Sequence, residues 1–174
     1  VADATALARK IRLLVLDVDG VLTDGGLYYG EDGLLMKRFN VQDGLGIKMA
    51  QAVGLEIGVI TGLNQAPVEN RVRELGIKFY YAGHHHKLPL FEEICEKAGV
   101  DPSEAAFMGD DWIDLAVMKR AGLALCVPNA VPEVAEAADW MSTCKGGEGA
   151  VREAISFIIE ARGLKEKALN YWVD

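Results

Sequence analysis

Cysteine, histidine, positive charge and long apolar runs are all scarce in this chain of 174 residues. The three cysteines, Cys95, Cys126 and Cys144, are odd in number and lack the paired spacing of zinc ligands, so neither a disulfide framework nor a structural zinc site is expected. They read as buried thiols. No apolar stretch approaches the roughly 18 residues of a membrane span, and the first residues show no basic segment leading into an apolar core, so the expectation is a cytoplasmic protein with no membrane partner. Against 26 Asp and Glu stand only 18 Lys and Arg, a net charge of −8. That balance disfavours nucleic acid and anionic surfaces as partners, and a small anionic substrate would need local positive charge or a metal. Linkers, low-complexity segments and internal repeats are missing too, and the length suits a single domain over 1-174.

What the chain does contain is alternation. Strand-like apolar runs near 12–18, 55–60, 77–81, 104–109, 122–127 and 138–141 are separated by helical periodicity near 42–53, 65–75, 87–99, 111–121, 131–137 and 147–162. This predicts an α/β fold, a three-layer, doubly wound, mostly parallel sheet with helices on both faces. One stretch departs from it: "GGLYYGEDGLLMKRFN", about 25–40, has two short strand-like halves around Glu31-Asp32-Gly33, and Asp-Gly is a hairpin turn signal. Leu27, Tyr28, Leu34, Leu35, Met36 and Phe39 are too apolar for a free ribbon. The hairpin folds over its own domain or pairs with copies of itself; the second is expected.

Chemistry concentrates at predicted strand ends. The run "LLVLDVDG" ends on Asp17 and Asp19, and paired carboxylates repel unless a cation or shared proton offsets them, although a turn or cap with two acidic residues is the simpler alternative. "EIGVITG" ends on Thr61 and Gly62, suited to a phosphate oxygen, yet Thr-Gly also ends strands for structural reasons. Lys87, at the start of a predicted helix, opposes the helix dipole and calls for a nearby anion. His84, His85 and His86 point apart in an extended loop, so at most one should line a pocket. Lastly, "MGDDWID" places Asp110, Asp111 and Asp114 after a strand, as hard oxygen ligands of the kind Mg²⁺ prefers or as helix caps.

The order Asp-x-Asp, Thr, Lys, Gly-Asp-Asp-x-x-Asp resembles the haloacid dehalogenase superfamily of aspartate-nucleophile phosphohydrolases. The resemblance implies that Asp17 attacks phosphorus to form an aspartyl-phosphate, and that Asp19 serves as acid and then base. It implies Mg²⁺ held by the side chains of Asp17 and Asp110 and the backbone carbonyl of Asp19, Thr61 and Lys87 on the transferring oxygens, and Asp111 and Asp114 around the metal or Lys87.

The spacings leave no room for a cap domain. "DGVLTDGGLYYGEDG", "FNVQDGLGIKM" and "GGEGAVREAISFI" look like the capless 3-deoxy-D-manno-octulosonate 8-phosphate phosphatases. That likeness implies a sugar acid phosphate as substrate and a homotetramer built through the hairpins. Leu63 stands where that family usually has Arg and where phosphatases of nine-carbon sialic-acid-type 9-phosphates have Glu, which leaves the sugar open. Gly62, Asn64, Arg71 and Lys145 are the candidate substrate contacts. Arg71 could reach a carboxylate across a subunit boundary or be a solvated helix residue, and Lys145 could belong to a mobile segment over the site or to a plain loop before a helix. The rivals are a phosphorylation-switched receiver, disfavoured because Lys87 precedes the Gly-Asp-Asp cluster, a non-catalytic assembly module, disfavoured because both early aspartates are present, and a phosphotransferase, which usually needs a cap to exclude water.

Overall fold

The computed structural model describes residues 3–173, apart from the side chains of Leu34 and Leu35. In chain order the elements are α1 (Ala4–Ala8), β1 (Leu13–Leu16), β2 (Tyr28–Gly30), β3 (Gly33–Met36), α2 (Val41–Ala52), β4 (Glu56–Thr61), α3 (Ala66–Leu75) and β5 (Phe79–Ala82). There follow α4 (Leu88–Ala98), β6 (Ala105–Gly109), α5 (Leu115–Met118), β7 (Leu123–Cys126), α6 (Pro132–Ala137), β8 (Trp140–Met141), α7 (Ala150–Ala161) and α8 (Lys165–Val173). Six strands form a parallel sheet in the order β5-β4-β1-β6-β7-β8, and β2 and β3 form a separate ribbon.

Strand β1 is central, and all four of its residues are buried, which is why it reads as an unbroken apolar run rather than an alternating one. Successive side chains still go to opposite faces. Leu14 and Leu16 pack with Ile47 of α2 and Ala150 and Ile155 of α7, whereas Leu13 and Val15 pack with Phe91 and Ile94 of α4 and Val117 of α5. Asp17 continues the ladder by one bond, its N–H donating to the Met108 carbonyl at 3.0 Å. The same alternation therefore sends its carboxylate to the α4 side. The order of strands reverses between β1 and β6, and the carboxyl ends of strands at such a reversal diverge to leave a crevice.

Three expected elements differ. The helix expected over 111–121 is a 3₁₀ turn, Trp112–Asp114, followed by the single turn of α5, because Asp111 and Asp114 cap each other's backbone and close the turn early. The helix expected from 147 starts at Ala150, since Gly147 and Gly149 adopt left-handed φ of 69° and 107°. The short α1 and the C-terminal α8 were not anticipated; α8 packs on α2 and α7 and buries Ala168 while leaving Leu169, Tyr171 and Trp172 exposed.

The hairpin lies where its turn signal puts it, with Gly30 opposite Gly33 and a shift of register between Tyr28 and Tyr29. Leu27, Tyr28, Tyr29 and Met36 are exposed; the side chains of Leu34 and Leu35 lie outside those described.

The loop from 20 to 24 forms one wall of the crevice and is pinned from behind. Asn129 donates from Nδ2 to the Gly20 carbonyl and accepts at Oδ1 from the Gly146 N–H, both at 2.9 Å, and the Gly147 N–H donates to the Val21 carbonyl. A Cβ on Gly146 would sit 1.8 Å from the Gly20 carbonyl oxygen, so only glycine permits this approach. Gly146→Ala is expected to destabilise the protein by about 2 kcal/mol, as overpacking against backbone does, and urea denaturation monitored by circular dichroism measures it.

Candidate active site

Lys87 is the N-cap residue of α4, and its side chain is fully buried. Its ammonium lies 2.7 Å from both Asp17 Oδ1 and Asp114 Oδ1, which supplies the anions that a cation at a helix N-terminus requires. Asp17 Oδ1 also accepts from the Val18 N–H at 2.7 Å. Asp114 Oδ2 accepts from the backbone N–H groups of Asp110 and Asp111, at 3.0 and 3.3 Å, so both oxygens of this buried carboxylate are committed. Gly109 makes room for it, since a Cβ there would come within 2.5 Å of Asp114.

Carboxylate oxygens of Asp17, Asp110 and Asp114 all lie within 4.8 Å of one another. Among the described residues, nothing donates to Asp17 Oδ2 or to the Asp110 carboxylate. Burial, and next the charge of Asp114, push Asp17 up to about 7 despite Lys87 beside it. Burial, followed by Asp17, Asp114 and Asp111, pushes Asp110 up to about 8. Burial works to lower Lys87, but Asp17 and Asp114 overcome it and hold the ammonium above its usual value. One cation thus serves three clustered carboxylates. Unpartnered, closely spaced carboxylate oxygens with raised proton affinity fit a hard divalent cation such as Mg²⁺.

Around this cluster opens a cavity of about 300 Å³, lined by Asp17, Asp19, Gly20, Gly25, Gly62, Leu63, His85, Asp110, Asp111 and Ile113. Thr61 ends β4 beneath it, fully buried, its Oγ1 accepting from the Leu63 N–H at 3.3 Å. Gly20, at φ 83°, lets the backbone pass Asp110, whose Oδ2 would be 2.0 Å from a Cβ at that position. The His85 imidazole lies against Gly62.

Residues 81–155 match the family model of haloacid dehalogenase-like hydrolases. The 3-deoxy-D-manno-octulosonate 8-phosphate phosphatase KdsC of Escherichia coli K12 is 43% identical over 167 residues, which span 96% of this chain and 89% of that protein. This chain belongs to that family of phosphatases. Among solved structures, the family member from Moraxella catarrhalis, in complex with magnesium, phosphate and KDO, has a TM-score of 0.92 at 35% identity, over 97% of each chain. The cobalt-bound enzyme of Haemophilus influenzae has a TM-score of 0.88 at 36% identity, covering 90% of this chain and 92% of its own. These matches cover nearly the whole of both chains, as the expected capless fold requires.

Of the residues singled out in the sequence, Asp17, Asp19, Gly62, Asp110 and Asp111 line the cavity, with Thr61, Lys87 and Asp114 packed around its floor. Asp114 is the one that bonds Lys87 and joins the carboxylate cluster, whereas Asp111 is exposed and caps the 3₁₀ turn through the Trp112 N–H. Asn64, Arg71 and Lys145 are not among the cavity residues. Asn64 is exposed beside Gly83. Arg71 bonds Glu74 at 2.8 Å and reaches the Asn40 carbonyl in a separate groove with Met36 and Phe39. Lys145 projects into solvent from the loop before α7, where Gly146 and Gly147 are buried against residues 20–24.

Two contributors went unread in the sequence. Lys37, at the foot of the hairpin, is buried and ion-paired to Asp19; a lysine after an apolar strand carries no signal of a partner 18 residues back. Asn129 is equally silent in sequence.

The raised carboxylates make stability depend on pH. Folded Asp17 and Asp110 keep protons up to about 7 and 8, while unfolded aspartates release theirs near 4, so folding takes up protons between those values. Without metal, the stability these two groups contribute is fully present below about 4 and is lost as pH rises toward 8. Thermal melts in EDTA should show this loss, and added Mg²⁺ should raise the melting temperature more at pH 8 than at pH 6. Asp110→Asn is expected to flatten the metal-free pH slope and to abolish the Mg²⁺-induced rise.

Proposed function

We propose that this chain is a Mg²⁺-dependent phosphomonoesterase that hydrolyses 3-deoxy-D-manno-octulosonate 8-phosphate through an aspartyl-phosphate on Asp17. The observation that carries the reading is the meeting of Asp17, Lys87, Asp110 and Asp114 at the β1/β6 crevice, in a chain matching named phosphatases of that ester over nearly its whole length. The metal would be held by the Asp17 and Asp110 carboxylates and the Asp19 backbone carbonyl, and when bound it would supply positive charge that lets a carboxylate and a phosphate share the site.

Lys87 holds Asp17 Oδ1, so Oδ2 is the oxygen free to face the cavity. In the first step Asp17 attacks phosphorus, the bond from phosphorus to the sugar oxygen breaks, and Asp19 gives its proton to the departing alkoxide. In the second, water attacks phosphorus, its proton passes to Asp19, and Asp17 leaves as carboxylate with inorganic phosphate. The third proton of the Lys87 ammonium, the Thr61 hydroxyl and the Gly62 backbone N–H are the donors for the transferring oxygens, where negative charge spreads in the transition state. Asp114 orients Lys87 and anchors the backbone that carries Asp110.

Leu63, His85 and Ile113 are the cavity-lining residues other than aspartates and glycines, and they meet the sugar. Leu63 offers neither the charge expected for the octulosonate ester nor that for nine-carbon 9-phosphates, so the latter are the second reading. The free cysteines, two of them buried, suit a reducing cytoplasm, and no helix is long and apolar enough to cross a membrane.

The assembly is a homotetramer joined through the hairpins. Tyr29 and Val41 are 67% and 80% exposed, and with Leu27, Tyr28 and Met36 they make an apolar band on and beside the ribbon, beyond the small scattered patches of a typical monomer. Light scattering at micromolar concentration should return four times the chain mass, and Tyr29→Glu should lower it.

The substrate is tested with a panel of 2-keto-3-deoxy sugar acid phosphates in Mg²⁺. Octulosonate 8-phosphate is expected to exceed p-nitrophenyl phosphate in kcat/KM by about 100-fold or more, as differential binding of several sugar groups allows. Asp17→Asn should cut turnover by at least about 10⁴-fold, the scale of losing a nucleophile. Equal turnover of both esters would reject the sugar and leave the phosphatase chemistry standing.

A further inference from the structure

Lys37 is the other lysine buried in this protein, and no step of the proposed reaction uses it. It follows β3 directly, where the bridge between Thr23 and Phe39 closes the ribbon onto the body. Its side chain is wholly withdrawn from solvent, and its ammonium meets Asp19 Oδ1. Burying an ammonium is strongly unfavourable unless it is paired, and Asp19 is its one ion-pair partner among the described residues. The neighbouring Arg38 shows the contrast, since it is half exposed and pairs loosely with Asp24 at 3.5 Å. Asp19, for its part, stands in a turn beyond the strand, 27% exposed at the cavity, with no other side-chain bond among the described residues to fix its rotamer.

We propose that Lys37 is a positioning residue for Asp19. It holds Oδ1 and so fixes the rotamer of the carboxyl group, leaving Oδ2 as the oxygen that faces the leaving alkoxide and later the attacking water. The inference rests on the assignment of Asp19 as acid and base above. Positioning of this kind matters because a proton donor displaced by an ångström loses most of its effect.

The test uses the full chain with Mg²⁺ and compares K37M, K37R, D19N and the double variant D19N/K37M on octulosonate 8-phosphate and on p-nitrophenyl phosphate. K37M is expected to lower kcat on the sugar ester by about 100-fold, with KM within about threefold. Because nitrophenolate departs without a proton, K37M should still release one equivalent rapidly before slow turnover. K37R, which keeps the cation, should recover at least about tenfold of the loss in kcat. In the D19N background, K37M should cost less than about twofold further, since a residue acting only through Asp19 has nothing left to act on. Thermal melts of the same samples separate folding from positioning. A K37M protein with a lowered melting temperature and unchanged kcat overturns the proposal, as does an additive loss in D19N or a K37R no better than K37M. Full activity of D19N overturns the assignment of Asp19 itself and this inference with it; full activity of K37M beside an inactive D19N overturns the inference alone.

Discussion

The buried ammonium of Lys87 between Asp17 and Asp114 is the contact on which the site depends. A chain with net charge −8 brings three carboxylates within 4.8 Å of one another at the tips of its two central strands, and such crowding is tolerable only around a cation. Lys87 supplies part of that charge permanently. Removing one partner from a buried, hydrogen-bonded pair of this kind typically costs about 3–5 kcal/mol, because the groups left behind stay buried and uncompensated. The deficit that remains, seen in the upward shifts of Asp17 and Asp110, is what gives a divalent cation its place.

The carboxylate pairing also explains the local backbone. Asp114 satisfies two N–H groups at the end of β6 and thereby aims Asp110 at the crevice, and the same bonds close the chain into a 3₁₀ turn where a longer helix is otherwise expected. Opposite it, the loop from 20 to 24 is held against the cavity by Asn129 and by the glycines before α7, one of which meets the Gly20 carbonyl closely enough to forbid any side chain. The backbone around the candidate site is thus fixed from behind.

The hairpin has two distinct relations to the rest of the protein. Its outer residues are apolar and exposed, a surface suited to further copies of the chain. Its foot carries Lys37 inward to Asp19. Arg71 lies beside the hairpin rather than in the cavity of its own chain.

Much of this was legible in the sequence because its signals are local. The unbroken burial of β1, the Asp-Gly turn of the ribbon and the order of acidic, hydroxyl and basic residues at strand ends each follow from side-chain periodicity or short motifs, and the parallel sheet and its ligand-bearing edge follow from them. Helix starts and stops were less legible near 111–121 and 147–149, where capping side chains and left-handed glycines override an apolar pattern. The partners of Lys37, Asn129 and Arg71, and the choice of Asp114 over Asp111 as the buried acid, were decided only by tertiary structure. Those contacts join residues 3 to 109 positions apart, and which side chain meets which depends on how strands and loops stack in space rather than on their neighbours in the chain.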